Sequence, residues 1–111
     1  MVYSGALEVE DGDFTLNSQR FIIRKDEISF VLEGNDEYGA FIIEGVAKKT
    51  SHGFYFAPNC DLRYSTYASD DKASIRIDSV ELTDTDMCRV SGLWTQGDSW
   101  RFEGVLRKFN T

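Results

Sequence analysis

Apolar and polar residues alternate with a period of two along almost the whole chain. In residues 38–48, for example, Phe41, Ile43, Gly45 and Ala47 fall on one face. Such alternation is typical of strands that bury one side, whereas an amphipathic helix repeats every three or four residues. No segment carries a helical stripe long enough for a stable amphipathic helix. The pattern therefore predicts an all-β protein.

Turn-forming residues divide the chain into about eight to ten short strands. Asp11-Gly12 is a strong hairpin signal, and polar runs at 34–37, 50–53, 69–72, 83–86 and 96–98 provide further turns. Between them we expect strands at residues 3–10, 13–17, 21–23, 28–33, 38–48, 54–57, 59–67, 73–82, 87–95 and 99–108. Segment 59–67 is also compatible with a short helical turn capped by Asn59 or Asp61.

Four glycines interrupt these strands in similar contexts: Gly5, Gly45, Gly92 and Gly104. All four have the parity of the apolar face. Glycine inside a strand marks a bulge, a sharp bend or a close approach of two backbones. On the inner face, the four predict strong sheet curvature or an interior void. We therefore expect one domain over residues 1–111, an antiparallel meander closed or nearly closed as a small barrel, with a two-sheet sandwich as the alternative.

One predicted strand changes phase part-way along. Ile75 and Ile77 share a face, whereas Val80 and Leu82 have the opposite parity. An extra residue near positions 78–79 would return all four to one side, so a β-bulge is expected there.

The charge balance excludes some partners. The chain has 19 acidic and 12 basic residues and a net charge of −7. Binding to nucleic acid or to an anionic membrane requires basic residues, so neither partner is expected. The acids are concentrated in the first 40 residues. This acidic region is suited to a basic protein partner, although acids in turns also serve solubility.

The chain has neither a long apolar stretch nor a recognisable signal peptide, so a cytoplasmic location is expected. In that compartment Cys60 and Cys88 should be reduced thiols. Cys88 is in phase with Val90 and Trp94 and should be buried. Cys60 follows Pro58 in a predicted loop and should be the more exposed of the two.

No catalytic, metal or cofactor site is predicted. His52 is the only histidine and lies in a polar turn without a visible partner. The paired acids at 11–13 and 84–86 are typical turn formers rather than a calcium loop. Glu44 and Glu103 alternate with apolar residues and should face solvent, which is unsuitable for a carboxylate pair in a cleft. An enzyme is therefore the least favoured reading.

Aromatic residues provide the strongest functional signal. Trp94 and Trp100 flank the last turn and share the parity of the inner face. Six phenylalanines are expected in the same interior: Phe14, Phe21, Phe30, Phe41, Phe54 and Phe56. They predict either a filled aromatic core or a pocket for one small apolar ligand inside a barrel. The candidate ligand-binding residues are Trp94, Trp100, Phe102, Phe41 and Phe30.

Some apolar residues have the opposite parity and are expected on the outer face. If several lie together, they form a patch for self-association or for a protein partner. The candidate partner-binding residues are Val31, Ile42, Tyr55 and Val105.

The segment Ser91-Gly92-Leu93-Trp94 and the closing hairpin are loosely similar to barrel strands of lipocalin- and avidin-like proteins. The Gly-x-Trp signature near the N-terminus of lipocalins is absent, and the likeness implies no ligand or site residue for this chain.

These observations predict a non-enzymatic binding protein that acts through an acidic or apolar surface or as an oligomer. The alternative is a lipocalin-like carrier with an aromatic pocket near Trp94 and Trp100.

Overall fold

Eight antiparallel strands follow one another around a closed barrel in the computed structural model, which describes residues 2–12, 14–66 and 71–108. Each strand pairs with the next in sequence, and β8 pairs back with β1. The predicted meander and its closure are thereby confirmed, and the sandwich is excluded. The strands are β1 (Val2–Val9), β2 (Thr15–Ile23), β3 (Glu27–Asp36), β4 (Gly39–Lys49), β5 (Tyr55–Tyr64), β6 (Asp71–Asp84), β7 (Met87–Gln96) and β8 (Asp98–Lys108).

Two pairs of predicted strands are single strands in the structure. Segments 13–17 and 21–23 merge into β2, which begins at Thr15, and segments 54–57 and 59–67 merge into β5, which runs from Tyr55 to Tyr64. Asp13 and Tyr67 lie outside the described residues. Each merged strand carries a register shift, between Ser18 and Arg20 in β2 and between Ala57 and Cys60 in β5. A bulge bends a strand without ending its pairing. Residues 59–64 are therefore strand, and no helical turn forms there.

The bulge in β5 reverses the expected parity of its first residues. Ala57 pairs with Ile75 and Cys60 with Ala73, so three steps along β5 match two along β6. Tyr55 consequently packs against the core, while Phe56 is 39% exposed. The predictions that Tyr55 faces outward and Phe56 inward were wrong for this reason. The predicted bulge in β6 is confirmed by the shift between Ile77 and Ser79, and Val80 packs against the core beyond it. Leu82, near the end of the strand, is 57% exposed, so its expected place inside the barrel was wrong.

Cys60 also differs from expectation, because the bulge turns its side chain inward. It is buried, with 6% exposure, and its thiol donates to the carbonyl oxygen of Ala57 at 3.5 Å. Cys88 is fully buried, as predicted, and both residues are free thiols.

Phenylalanine rings cover three glycines on the inner face of the barrel. Directly opposite Gly45 on the neighbouring strand is Phe30, and opposite Gly92 is Phe102. A Cβ added to Gly92 would lie 2.5 Å from Cζ of Phe102 and 2.2 Å from the carbonyl oxygen of Arg76. The space beside these glycines is thus occupied by rings and backbone. Gly34, which we expected in a turn, lies in β3. It is paired with Phe41 of β4, whose ring covers it.

Between its two ends, the barrel is filled with apolar side chains. Leu7, Phe21, Ile43, Ile75 and Leu106, from five different strands, each have at most 5% exposure. Eight strands enclose little more room than inward side chains need. The described residues include no helix that could span a membrane.

Replacing Gly92 by alanine should destabilise the barrel more than replacing Gly45. At Gly92 the new methyl group meets a backbone oxygen, whereas at Gly45 its nearest neighbour is the thiol of Cys60 at 2.8 Å. Since a side chain yields more easily than backbone, we expect losses of about 3 and about 1 kcal/mol, respectively. Urea unfolding measures both. Unchanged stability in both variants would show that these glycines border empty space.

Alkaline pH should destabilise the protein partly through Cys60. Burial and, to a lesser extent, the Asp61 carboxylate raise the pKa of the Cys60 thiol from 9.0 to about 11. Between these values the unfolded chain releases the proton while the folded protein retains it. The free energy of unfolding should therefore fall across this range by on the order of 2 kcal/mol, with no effect below about pH 8.

Urea unfolding from neutral pH to pH 11, compared between the wild type and Cys60→Ala, isolates this contribution. Cys88, whose thiol pKa is also raised by burial, remains in both proteins. Parallel stability profiles above pH 9 would contradict the assignment.

Candidate ligand site at one end of the barrel

A cavity of about 280 Å³ lies at the end of the barrel where β1 connects to β2, β3 to β4, β5 to β6 and β7 to β8. An antiparallel meander places these four connections at the same end. Side chains from the strand ends and from two of the connections line the cavity, and most of them are aromatic. The lining residues are Phe14, Asp36, Glu37, Tyr38, Phe41, Leu62, Tyr64, Trp94, Gln96 and Trp100.

Phe14 holds a central place among the rings. Its centroid lies 5.4 Å from that of Trp94, 5.6 Å from that of Trp100 and 6.2 Å from that of Phe41. The ring of Trp100 is nearly perpendicular to it, at 89°. Edge-to-face and tilted arrangements at such distances are favourable for aromatic pairs. The Phe14 ring thus ties the first connection to the wall formed by β7 and β8.

The two tryptophans face each other across the last hairpin, because Trp94 of β7 is the direct partner of Trp100 of β8. Trp94 is buried, and its indole N–H donates to Oε1 of Gln96 at 3.4 Å. Trp100 is only half-buried and packs against the core from the rim. One indole therefore belongs to the floor of the cavity and the other to its edge.

Phe41 reaches the cavity across Gly34. A Cβ on Gly34 would lie 2.4 Å from Cζ of Phe41 and 2.3 Å from the carbonyl oxygen of Thr15. Without a side chain at this position, the Phe41 ring packs against Gly34. Its centroid lies 5.7 Å from that of Trp94 and 5.7 Å from that of Tyr64. Gly34 therefore positions one wall of the cavity.

Asp36 is the best-anchored polar group of the site. Its Oδ2 accepts a hydrogen bond of 2.5 Å from the Tyr64 hydroxyl, and its Oδ1 accepts one of 2.8 Å from the backbone N–H of Tyr38. The carboxylate is partly buried at the end of β3. Each oxygen retains a second lone pair, so Asp36 can still accept a hydrogen bond or attract a positive charge.

The rim of the cavity is electrically negative. The neighbouring Glu37 carboxylate raises the pKa of the Tyr38 hydroxyl, and Asp36 and Asp71 contribute in the same direction. Tyr38 itself is 62% exposed, and its ring meets that of Tyr64 edge-on, with centroids 6.3 Å apart. Three carboxylates thus act at one point of the rim.

Three of the five predicted ligand-site residues, Trp94, Trp100 and Phe41, line the cavity. Phe102 and Phe30 do not, because their rings lie over Gly92 and Gly45 deeper in the barrel.

Sequence reasoning did not select Phe14, Asp36 or Tyr64 for the site. Phe14 was expected in the interior and Tyr64 in the segment left open between strand and helical turn, but Asp36 looked like an ordinary turn residue. Its role depends on contacts between strands far apart in sequence.

The four predicted partner-binding residues do not form one surface. Val31 pairs with Glu44, which places it diagonally beside Ile42 on the outer face of β3 and β4. Val105 is exposed on β8, on the opposite side of the barrel. Tyr55 packs inward and belongs to none of these faces.

His52, Glu44 and Glu103, which were weighed for chemistry, do not line the cavity. His52 is exposed and stacks on Phe54, with centroids 6.1 Å apart. Glu44 and Glu103 are exposed, as expected, and Glu44 forms an ion pair with Arg63. Within the described ranges, no three His, Cys, Asp or Glu side chains are grouped so as to hold a metal ion.

Comparison with models of protein families, with curated protein sequences and with solved structures finds no match for the chain.

Replacing Tyr64 by phenylalanine should destabilise the protein by about 1 to 2 kcal/mol, because the Asp36 carboxylate loses a partly buried hydrogen-bond donor. A double-mutant cycle with Asp36→Ala, measured by urea unfolding, should give a coupling energy of about 1 kcal/mol. Tyr38→Phe is the matched control, since its exposed hydroxyl should matter by less than about 0.5 kcal/mol. Additive effects in the cycle would contradict the proposed anchoring of Asp36.

Proposed function

We propose that this protein is a non-enzymatic binding protein that holds one small, largely apolar molecule in the cavity at the end of the barrel. The observation that carries the proposal is the set of aromatic rings around a cavity of about 280 Å³. Small-molecule sites are concave and mostly apolar, with a few polar groups that orient the ligand. The cavity is concave and lined mainly by aromatic side chains, with carboxylate, amide and hydroxyl groups among them, and its volume is suited to a small ligand.

The lining divides into a firm floor and an accessible rim. Phe41, Leu62 and Trp94 are each at most 2% exposed and already fixed by the core. Phe14 and Trp100 are half-buried at the opening and would cover the ligand from the side. Since the floor needs no ordering, little conformational entropy is lost when a ligand enters, which favours binding.

Polar groups would orient the ligand within this apolar setting. The Asp36 carboxylate is held by two hydrogen bonds, and the amide of Gln96 has its oxygen engaged by Trp94. The amide nitrogen of Gln96 is a donor and Asp36 is an acceptor. A ligand with an apolar body and one polar end fits this arrangement.

Association through the outer face remains a prediction from the sequence. Val31 and Ile42 are neighbours, but Val105 lies across the barrel. Only Val31 and Ile42 therefore form a common apolar patch that could support such association.

Small apolar alcohols and amines should change the signals of both tryptophans. The chain has only Trp94 and Trp100, and both line the cavity, so intrinsic fluorescence and the two indole N–H resonances report directly on it. Trp100→Ala should weaken binding of any ligand found by roughly tenfold or more, because a large ring leaves the wall of the cavity.

Phe56→Ala is the matched control for this loss of a ring. Phe56 is an exposed aromatic residue on the outer face of β5 and does not line the cavity. Its removal should leave affinity unchanged. If no compound of the panel shifts either indole resonance, or if both variants bind equally well, the cavity is not a ligand site.

A further inference from the structure

The lining of the cavity is negative as well as aromatic. Asp36 and Glu37 are its only charged members among the described residues, and both are acidic. Neither is among the ion pairs that the described residues form with lysine or arginine. Two carboxylates at the edge of a pocket do not increase its affinity for a neutral apolar ligand. They would lower its affinity for an anion by charge repulsion.

Acidic residues also predominate among the described residues at this end of the barrel, where Lys72, near the start of β6, forms an ion pair with Asp61. Glu10, Asp11 and Glu37 lie in its connections, and Asp71 and Asp98 begin the strands that follow two of them. None of the described positions in these connections is basic. At the opposite end the charges are mixed. Arg24, Lys25 and Asp26 lie in the connection between β2 and β3, Asp86 lies in that between β6 and β7, and Lys48 and Lys49 end β4. The barrel therefore presents an electrostatic difference between its two ends that attracts positive charge to the cavity.

The rings favour the same kind of ligand. An aromatic face carries partial negative charge, and tryptophan is the strongest partner for a cation within about 6 Å of its centroid. The ring centroids of Trp94 and Trp100 lie 5.4 and 5.6 Å, respectively, from that of Phe14. Tyr38 and Tyr64 supply two further rings on the side where Asp36 lies.

We propose that the ligand of this cavity is a small organic cation, a quaternary ammonium or protonated amine whose apolar groups contact the rings while its charge faces Asp36 and Glu37. This inference rests on the proposed function, since it names the ligand class of the same site. Asp36 is ready for this role because its hydrogen bonds from Tyr64 and Tyr38 fix the carboxylate before a ligand arrives.

The decisive probes are choline and its neutral carbon isostere, in which a tert-butyl group replaces the trimethylammonium group. The two have the same shape, so the cavity can distinguish them only by charge. Choline should bind roughly tenfold tighter or better, as measured by calorimetry and by the indole N–H resonances of Trp94 and Trp100. Equal affinity, or tighter binding of the isostere, overturns the inference.

Charge-neutral variants locate the effect. Glu37→Gln and Asp36→Asn keep the shape of the rim, and each should weaken choline binding by roughly fivefold while leaving the isostere unaffected. Asp26→Asn, at the opposite end of the barrel, removes the same charge and should change neither affinity. Since Asp36 also anchors Tyr64, Glu37→Gln provides the test if Asp36→Asn proves unstable. A loss of choline affinity in Asp26→Asn equal to that in Glu37→Gln would contradict a local site.

The outcomes separate the two proposals. If the isostere and apolar alcohols bind in the cavity as well as choline does, the site is a ligand site but not a cation site. If neither choline nor any neutral compound perturbs the indoles, the proposed function fails and the inference fails with it.

Discussion

The barrel depends on the close approach of neighbouring backbones at glycines that face its interior. At Gly92 even a methyl group would lie 2.2 Å from the carbonyl oxygen of Arg76, and at Gly104 it would lie 2.4 Å from that of Ala6. Strands must tilt and coil strongly to close a sheet of only eight members. Positions without a Cβ allow this curvature. The ring or branched side chain from an adjacent strand then fills the space that glycine leaves.

The packing of aromatic rings over inward-facing glycines also determines where the cavity lies. Phe30 and Phe102 lie over Gly45 and Gly92, so the middle of the barrel is occupied. Phe41 lies over Gly34, close to the end of β3, and its ring is the last layer before solvent. The cavity at this end of the barrel lies beyond this layer. A pocket lined by core residues at one end of the barrel is a consequence of filling the rest.

Much of this architecture follows from local patterns, and the exceptions have a common cause. Period-two alternation and turn residues predict an antiparallel meander, and the inward parity of Gly92 and Trp94 holds because β7 keeps its register beside β8. Tyr55 and Cys60 were assigned to the wrong environments because the bulge in β5 adds one residue. A bulge is set by pairing with the neighbouring strand, which a single sequence does not display. Asp36 was missed for a related reason, since its partner Tyr64 lies 28 positions away.

Stability and binding overlap at this end of the molecule, but only in part. Trp94 is buried and serves the core, whereas Trp100 is half-buried and Glu37 is exposed. Replacing a buried ring costs several kcal/mol of stability, so its loss says little about a ligand. Replacing an exposed carboxylate costs little stability. A change in ligand affinity in such a variant therefore reports the electrostatic field at the cavity. The charged rim, more than the aromatic floor, is therefore where function can be separated from folding.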